Sequence, residues 1–175
     1  MKDFETICVA SGVQIVSAPA NRFKTNEISI SFCTPLSAKT ASRNALCANL
    51  LARTTKKYPT LSEFNKKLAM LYGASVTCSV AKLGENQLLT LNASSLDDRF
   101  SFENDKISVD AFNLLMSMVF DANVDENGLF YPQDIDREKR LLAEKIESEE
   151  NEKRIYSLRR LEQIMFDGEP YAVNR

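Results

Sequence analysis

Two stretches of this chain alternate apolar and polar residues with a period of two. In Ser75 to Ala81, Val76, Cys78 and Val80 alternate with Thr77 and Ser79; in Gln87 to Ala93, Leu89, Leu91 and Ala93 alternate with Thr90 and Asn92. That period belongs to a strand with one buried face. Gly84-Glu85-Asn86 stands between the two stretches, and so short a glycine-bearing link predicts a hairpin. A sheet built from such strands is antiparallel and wet on one side. It has one apolar face to cover, and the rest of the chain must supply the cover.

More strands are predicted upstream. Ile28-Ser29-Ile30-Ser31-Phe32, within Asn26 to Pro35, keeps a strict alternation. Thr6 to Ala10 and Val13 to Ala18 flank Ser11-Gly12 and read as a second hairpin. Helical spacing fills the other segments. A helix from Thr40 to Arg53 carries an alanine stripe, Ala41, Ala45, Ala48 and Ala52, with Leu46, Leu50 and Leu51 beside it, a face wide enough to predict burial on most sides. Thr60-Leu61-Ser62-Glu63 is a capping-box pattern opening a second helix, with Leu61, Phe64, Leu68 and Leu71 as its stripe and Gly73 at its end. Ile107, Ala111, Leu114, Leu115 and Met118 define a third. Asp134 to Glu152 is a charged helix with Ile135, Leu141, Leu142 and Ile146 on its apolar side, and a last helix with Tyr156, Leu161, Ile164 and Met165 stops near Gly168. Strands and helices come in blocks, not in alternation. The expected class is therefore α+β: the early strands and the hairpin form one antiparallel sheet, with helices packed on one face.

Composition narrows the function. The 175 residues suit one domain. Twenty-two basic residues against 24 acidic give a formal charge of -2, which does not suit a nucleic-acid partner. No apolar run approaches the roughly 20 residues of a membrane span, and Met1 to Arg22 lacks the pattern of a secretory leader. A cytoplasmic location and no membrane association are the expectation. Cys8, Cys33, Cys47 and Cys78 are widely spaced, with no Cys-x-x-Cys pair, and read as reduced, mostly buried thiols. The chain contains no histidine, so no thiol has an imidazole to activate it.

A series of short segments runs in order through the chain: Thr55-Lys56-Lys57-Tyr58-Pro59-Thr60, Leu68-Ala69-Met70-Leu71-Tyr72-Gly73-Ala74, Glu138-Lys139-x-x-Leu142, Asn151-Glu152-Lys153-x-x-Tyr156 and Pro170-Tyr171. The series resembles the N-terminal part of bacterial members of the pitrilysin/insulinase-type zinc metallopeptidase family. More narrowly, it is similar to the non-catalytic member of a bacterial pair in which one protein carries the zinc motif and the other does not. The resemblance implies the metallohydrolase fold typified by mitochondrial processing peptidase. It also implies that residues 1–175 are a single peptidase-like N-terminal domain, less than half of a longer protein with repeated domains. The end of the chain at Asn174-Arg175, soon after a helix and with no closing strand, fits the same expectation.

Active members of that family carry His-x-x-Glu-His on the helix before the Thr-Lys-Lys turn. Histidines at i and i+4 share a helix face and hold one zinc, and the glutamate at i+3 acts as general base. Laid on this chain, the motif falls on Ala45-Leu46-Cys47-Ala48-Asn49. Ala45 has no ligand atom, Ala48 no base, and Asn49 only a neutral amide. The third ligand, a downstream glutamate, falls at Lys145, or at Glu144 with a slip of one. The resemblance therefore implies no catalytic residue, no metal and no cofactor, with Ala45, Ala48, Asn49 and Lys145 as degenerate motif positions.

Other features have plain readings. The cluster Glu144, Glu147, Glu149, Glu150 and Glu152, interleaved with Lys145 and Lys153, reads as a solvated helix face with local ion pairs. Asp97-Asp98 and Lys56-Lys57 read as turns, and Arg154, Arg159 and Arg160 are the notable basic group. Tyr171 resembles a family position that faces the peptide chamber, and reads equally as a packing aromatic. The expected function is an inactive metallopeptidase-like domain that pairs with a zinc-bearing partner, or with a second copy of itself, to enclose or bind peptide. The alternative is a stand-alone structural or regulatory binding module. A hydrolase using Cys47 or the carboxylates is the least favoured reading.

Overall fold

The structure, a computed structural model, describes residues 4–19 and 22–173. Asn174 and Arg175, where the chain-end reading falls, lie outside them, as do the first three residues of the leader reading. Among the described residues, five strands and five α-helices run in the order β1 (Glu5–Ala10), β2 (Val13–Ser17), β3 (Thr25–Pro35), α1 (Ala41–Leu51), α2 (Leu61–Met70), β4 (Ser75–Leu83), β5 (Asn86–Leu96), α3 (Ile107–Phe120), α4 (Pro132–Asn151) and α5 (Lys153–Met165). Short 3-10 turns follow β5 at Asp98–Phe100 and α5 at Pro170–Ala172. The class is α+β.

The main sheet has the order β3-β5-β4 and is antiparallel throughout. Its register sets Ile28 opposite Ala93 and Ile30 opposite Leu91, with Val76 and Cys78 facing the same two residues from the other side. Gln87, Leu89, Leu91, Ala93 and Ser95 of β5 are all buried, while the residues between them are half-exposed. Leu91 and Ala93 join Phe64 of α2 and Ile107, Leu114, Leu115 and Met118 of α3 in one core. Leu115 is 0% exposed, and complete burial of a side chain of that size stabilises by about 1.5–3 kcal/mol. The opposite face is polar. Ser31 and Thr90 hydroxyls lie 2.9 Å apart, and Glu27 accepts from Asn92 at 2.8 Å and from Ser94. One dry and one wet face follow directly from the alternation.

Three local devices hold the helices. The Thr60 hydroxyl accepts from the Glu63 amide at 3.2 Å and the Glu63 carboxylate accepts from the Thr60 amide at 3.2 Å, closing the capping box of α2. After α2, Tyr72 and Gly73 both take positive φ, 57° and 75°. Glycine adopts this freely, whereas tyrosine needs compensation. The Tyr72 hydroxyl donates to Asp105 at 2.6 Å and accepts from the Phe102 amide at 3.2 Å, and its ring stacks on Phe102. Asp98 accepts from the Ser108 amide at 2.8 Å and from its hydroxyl at 2.9 Å, satisfying donors in the first turn of α3.

The structure corrects three expectations. First, among the described residues β1 and β2 pair only with each other and do not extend the main sheet. Alternation defines a strand's faces and a tight turn its local partner, but neither selects a second partner beyond the link to β3. Second, the cysteines are not mostly buried: Cys8, Cys33 and Cys47 are exposed and Cys78 is half-buried. Cys8 lies on the exposed hairpin and Cys33 on the wet side of β3, so an apolar setting in sequence did not mean a covered one. Helix α1, as expected, is covered on most sides, with Ser42, Arg43 and Cys47 as its exposed residues. Third, Leu141 and Ile146 of α4 are exposed, as are Tyr156, Leu161, Ile164 and Met165 of α5. The sheet is already covered by α1 and α3, so α5 rests mainly on α4 and the final turn.

Candidate functional site

The site is built on α1, and two contacts set where α1 lies. At its N-terminal end, Gln87 of β5 is 2% exposed, donates to the Ala41 carbonyl at 3.0 Å and accepts from the Asn44 amide at 2.9 Å. A buried side-chain amide satisfied on both sides ties the helix to the central strand. Just past its C-terminal end, Arg53 pairs with Glu138 of α4. Glu138 is 5% exposed, the one buried charged side chain among the described residues.

From Arg53 the positions Asn49 and Ala45 run back along one face of α1 at steps of four. From Glu138 the positions Leu142 and Lys145 run forward along one face of α4 at steps of four and three. Residues at these spacings stack on one side of a helix. The two rows meet across a cavity of about 250 Å³ lined by Ala45, Asn49, Cys78, Ser79, Val80, Leu142 and Lys145. Its third wall is β4, an edge strand of the main sheet.

Three of the four positions on which the sequence resemblance laid the zinc motif, Ala45, Asn49 and Lys145, share one cavity. Ala48 does not line it and lies buried in the packing of α1, 5% exposed. Glu144, the alternative third position, is exposed and pairs with Arg140 at 3.6 Å. The donor set does not fit zinc. Alanine offers no ligand, asparagine a neutral amide and lysine a cation, whereas zinc sites use imidazole, thiolate or carboxylate. Among the described residues no three His, Cys, Asp or Glu side chains gather to hold an ion.

The one thiol on the cavity wall is Cys78. Burial pushes its pKa upward, and the Lys145 charge draws it back only in part. Cys47 does not line the cavity, and although it keeps an exposed surface, partial loss of water also raises its pKa. Both shifts disfavour the thiolate that nucleophilic chemistry requires.

The other singled-out residues have structural roles. Glu149 pairs with Arg159, and Arg160 donates to Gln163 at 3.3 Å, so the basic group on α5 is drawn into local contacts. Tyr171 packs its ring on Phe166, its carbonyl accepts from Lys82 at 2.7 Å, and the same ammonium lies 4.7 Å from its ring centre. Asp97 caps the first 3-10 turn through the Arg99 amide. Lys56 and Lys57 are exposed in the turn where Thr55 bridges Ala122. Sequence reasoning missed Gln87, Arg53 and the burial of Glu138. Glu138 sat within a quoted segment, but a glutamate on a charged helix gives no sign that it faces inward. Gln87 carried a usable signal, since it occupies the apolar phase of its strand.

No family model matches the chain. It is 29% identical over 153 residues to a protein of Bacillus subtilis (strain 168) named "Probable inactive metalloprotease YmfF", an alignment covering 87% of this chain and 36% of that protein. Its fold is shared with a conserved protein from Enterococcus faecalis V583 of known crystal structure, at a TM-score of 0.85 and 23% identity over 96% of this chain and 40% of that one. The chain thus spans well under half the length of both.

Proposed function

We propose that this chain is an inactive domain of the pitrilysin/insulinase type, with the mitochondrial-processing-peptidase-like fold, that pairs with a zinc-bearing relative and helps enclose peptide. The reading rests first on the cavity. Ala45, Asn49 and Lys145 come together where a metal-binding peptidase would need ligands, and they supply none. The similarity to a protein named "Probable inactive metalloprotease" supports the same reading. A second feature supports a role in binding. The cavity opens beside β4, whose outer rim is not paired to another strand among the described residues. An extended peptide can add to such an edge through its own backbone hydrogen bonds.

Co-expression with a relative that carries His-x-x-Glu-His tests the pairing. Size-exclusion chromatography with light scattering should show one shared peak, and the relative's peptidase activity should change when the partner is absent. A peak holding two copies of this chain would point to self-association. Separate monomers at micromolar concentration, with unchanged activity of the relative, would favour a stand-alone binding module.

A further inference from the structure

We infer that the cavity between α1, α4 and β4 takes a carboxylate, so that the peptides this domain holds are selected for an acidic group at that point. The inference rests on the peptide-binding reading above and adds to it the chemistry of the bound group.

The argument is one of charge. Lys145 is the sole ionisable residue on the cavity wall apart from the Cys78 thiol, and burial holds that thiol toward its neutral form. No carboxylate lines the space. Nor do neighbouring acids neutralise Lys145. Glu149, four residues further along α4, is paired with Arg159, and position 141, where a glutamate would best support a lysine at 145, is Leu141. Glu144 is paired with Arg140, Glu138 with Arg53, and Glu162 with Lys82. Among the described residues Lys145 enters no ion pair with any of them. The remaining polar residues on the wall are Asn49, whose amide NH2 is a donor, and Ser79, whose hydroxyl can donate or accept. A cation beside amide donors, with no competing anion, is complementary to a carboxylate. The volume, about 250 Å³, is below the range of drug-sized pockets and suits one short side chain or a chain terminus. The same features explain why this pocket is unlike a metal site, since Lys145 repels a metal ion and attracts what a metal would otherwise hold.

Two sources could present the carboxylate, a Glu or Asp side chain within the peptide or its C-terminus. Three pentapeptides of β-forming sequence separate them: an acetylated amide with central Glu, the same amide with central Gln, and the Gln peptide with a free C-terminal carboxylate. Each is titrated into the isotopically labelled chain, reading the backbone amide shifts of Cys78, Ser79 and Val80. At least one carboxylate peptide should bind more tightly than the Gln amide, by about threefold for a largely exposed charge pair. Whichever gains identifies the source. Lys145→Gln should erase the difference, and Lys145→Glu should reverse it. Equal affinity of all three peptides, unchanged by either substitution, would overturn the carboxylate inference and leave peptide binding intact. Absence of amide shifts with every peptide at millimolar concentration would overturn the peptide reading and the inference with it.

Discussion

Helices α1 and α4 meet at two places, and the two are opposites. At one, Arg53 and Glu138 form a pair largely removed from water. Two turns away, Lys145 faces a cavity beside Ala45 and Asn49 and has no acidic partner there. Both places hold a long charged side chain on the same two helices. The first closes the seam and sets the angle at which α4 crosses α1. The second leaves the seam open. A fold needs the first contact whatever the domain does, whereas an unpaired cation in an open cavity contributes little to folding. The contrast separates what maintains the scaffold from what the scaffold can offer a ligand.

The sharpest way to break this comparison is at the closed end. Glu138→Ala leaves the Arg53 guanidinium short of its counter-charge in a poorly solvated place. Removing one partner of a buried pair costs about 3–5 kcal/mol, and because the Arg53 side chain keeps 23% exposure, the low end of that range is expected. Chemical denaturation should show it as a lowered midpoint with an unchanged slope. Glu138→Leu combined with Arg53→Met should recover most of the loss, since an apolar pair needs no desolvated charges. A double variant as unstable as the single one would mean that the pair does more than close the seam.

The next test asks whether a metal site can be built at the cavity end. Ala45 is 2% exposed but lies on the cavity wall, so a larger side chain has to turn into the cavity. Ala45→His is expected to cost about 1 kcal/mol, the low end of the overpacking range. Adding Ala48→Glu and Asn49→His supplies two ligands and a base on paper, but Lys145 still stands where a third ligand is required. The triple variant should bind zinc weakly, as judged by elemental analysis after dialysis, and should cleave no peptide. Chelator-sensitive cleavage would show that the third ligand lies elsewhere.

How much of this was legible in the sequence differs between the same two places. Ala45 and Asn49 could be set on one helix face by spacing alone, and Ile28, Ile30, Leu89, Leu91 and the α3 stripe declared their faces by period. Thr60 and Glu63 announced a cap that the structure contains. These signals are local, carried within a dozen residues. The Arg53–Glu138 pair joins residues 85 apart in sequence, and nothing in the charge pattern of α4 separates Glu138 from the exposed glutamates after it. Gln87 shares the apolar phase of its strand, but its partners, Asn44 and the Ala41 carbonyl, are brought to it only by the fold. The separate β1–β2 hairpin and the exposed face of α5 were misread for a related reason. Ile7, Val9, Ile15, Leu158 and Ile164 are apolar in strand or helix phase, yet each is more than half exposed. Periodicity states that a face is apolar and says nothing about which element covers it.

A reference effect of known kind lies away from the seam. Thr60→Ala removes the hydroxyl that accepts from Glu63, and loss of an N-cap costs about 1 kcal/mol. It should lower the unfolding midpoint without altering any peptide titration at β4. Thr60→Ser should restore the midpoint almost fully, because serine caps as well as threonine.

The smallest effect is expected at Lys145, and it is the one that gives the comparison its meaning. Lys145 is exposed and makes no ion pair among the described residues, while Leu142 lines the neighbouring wall through carbon alone. Lys145→Gln keeps a long, flexible, helix-compatible side chain and removes only the charge. Nothing anionic in the cavity depended on that charge, so stability should move by no more than about 0.5 kcal/mol, the usual bound for a surface substitution. The Cys78 thiol offers a second readout. The Lys145 charge now draws its pKa down against the upward push of burial, so the variant should raise it. At a fixed mildly alkaline pH, Cys78 should then react more slowly with a thiol-directed alkylating reagent, followed by mass spectrometry of its peptide. A retarded thiol in a protein of unchanged stability would place the ammonium at the cavity and free of structural duty. If instead Lys145→Gln lowered stability as Glu138→Ala does, the cation would be part of the seam, and the distinction between a closed and an open end of the α1–α4 contact would fail.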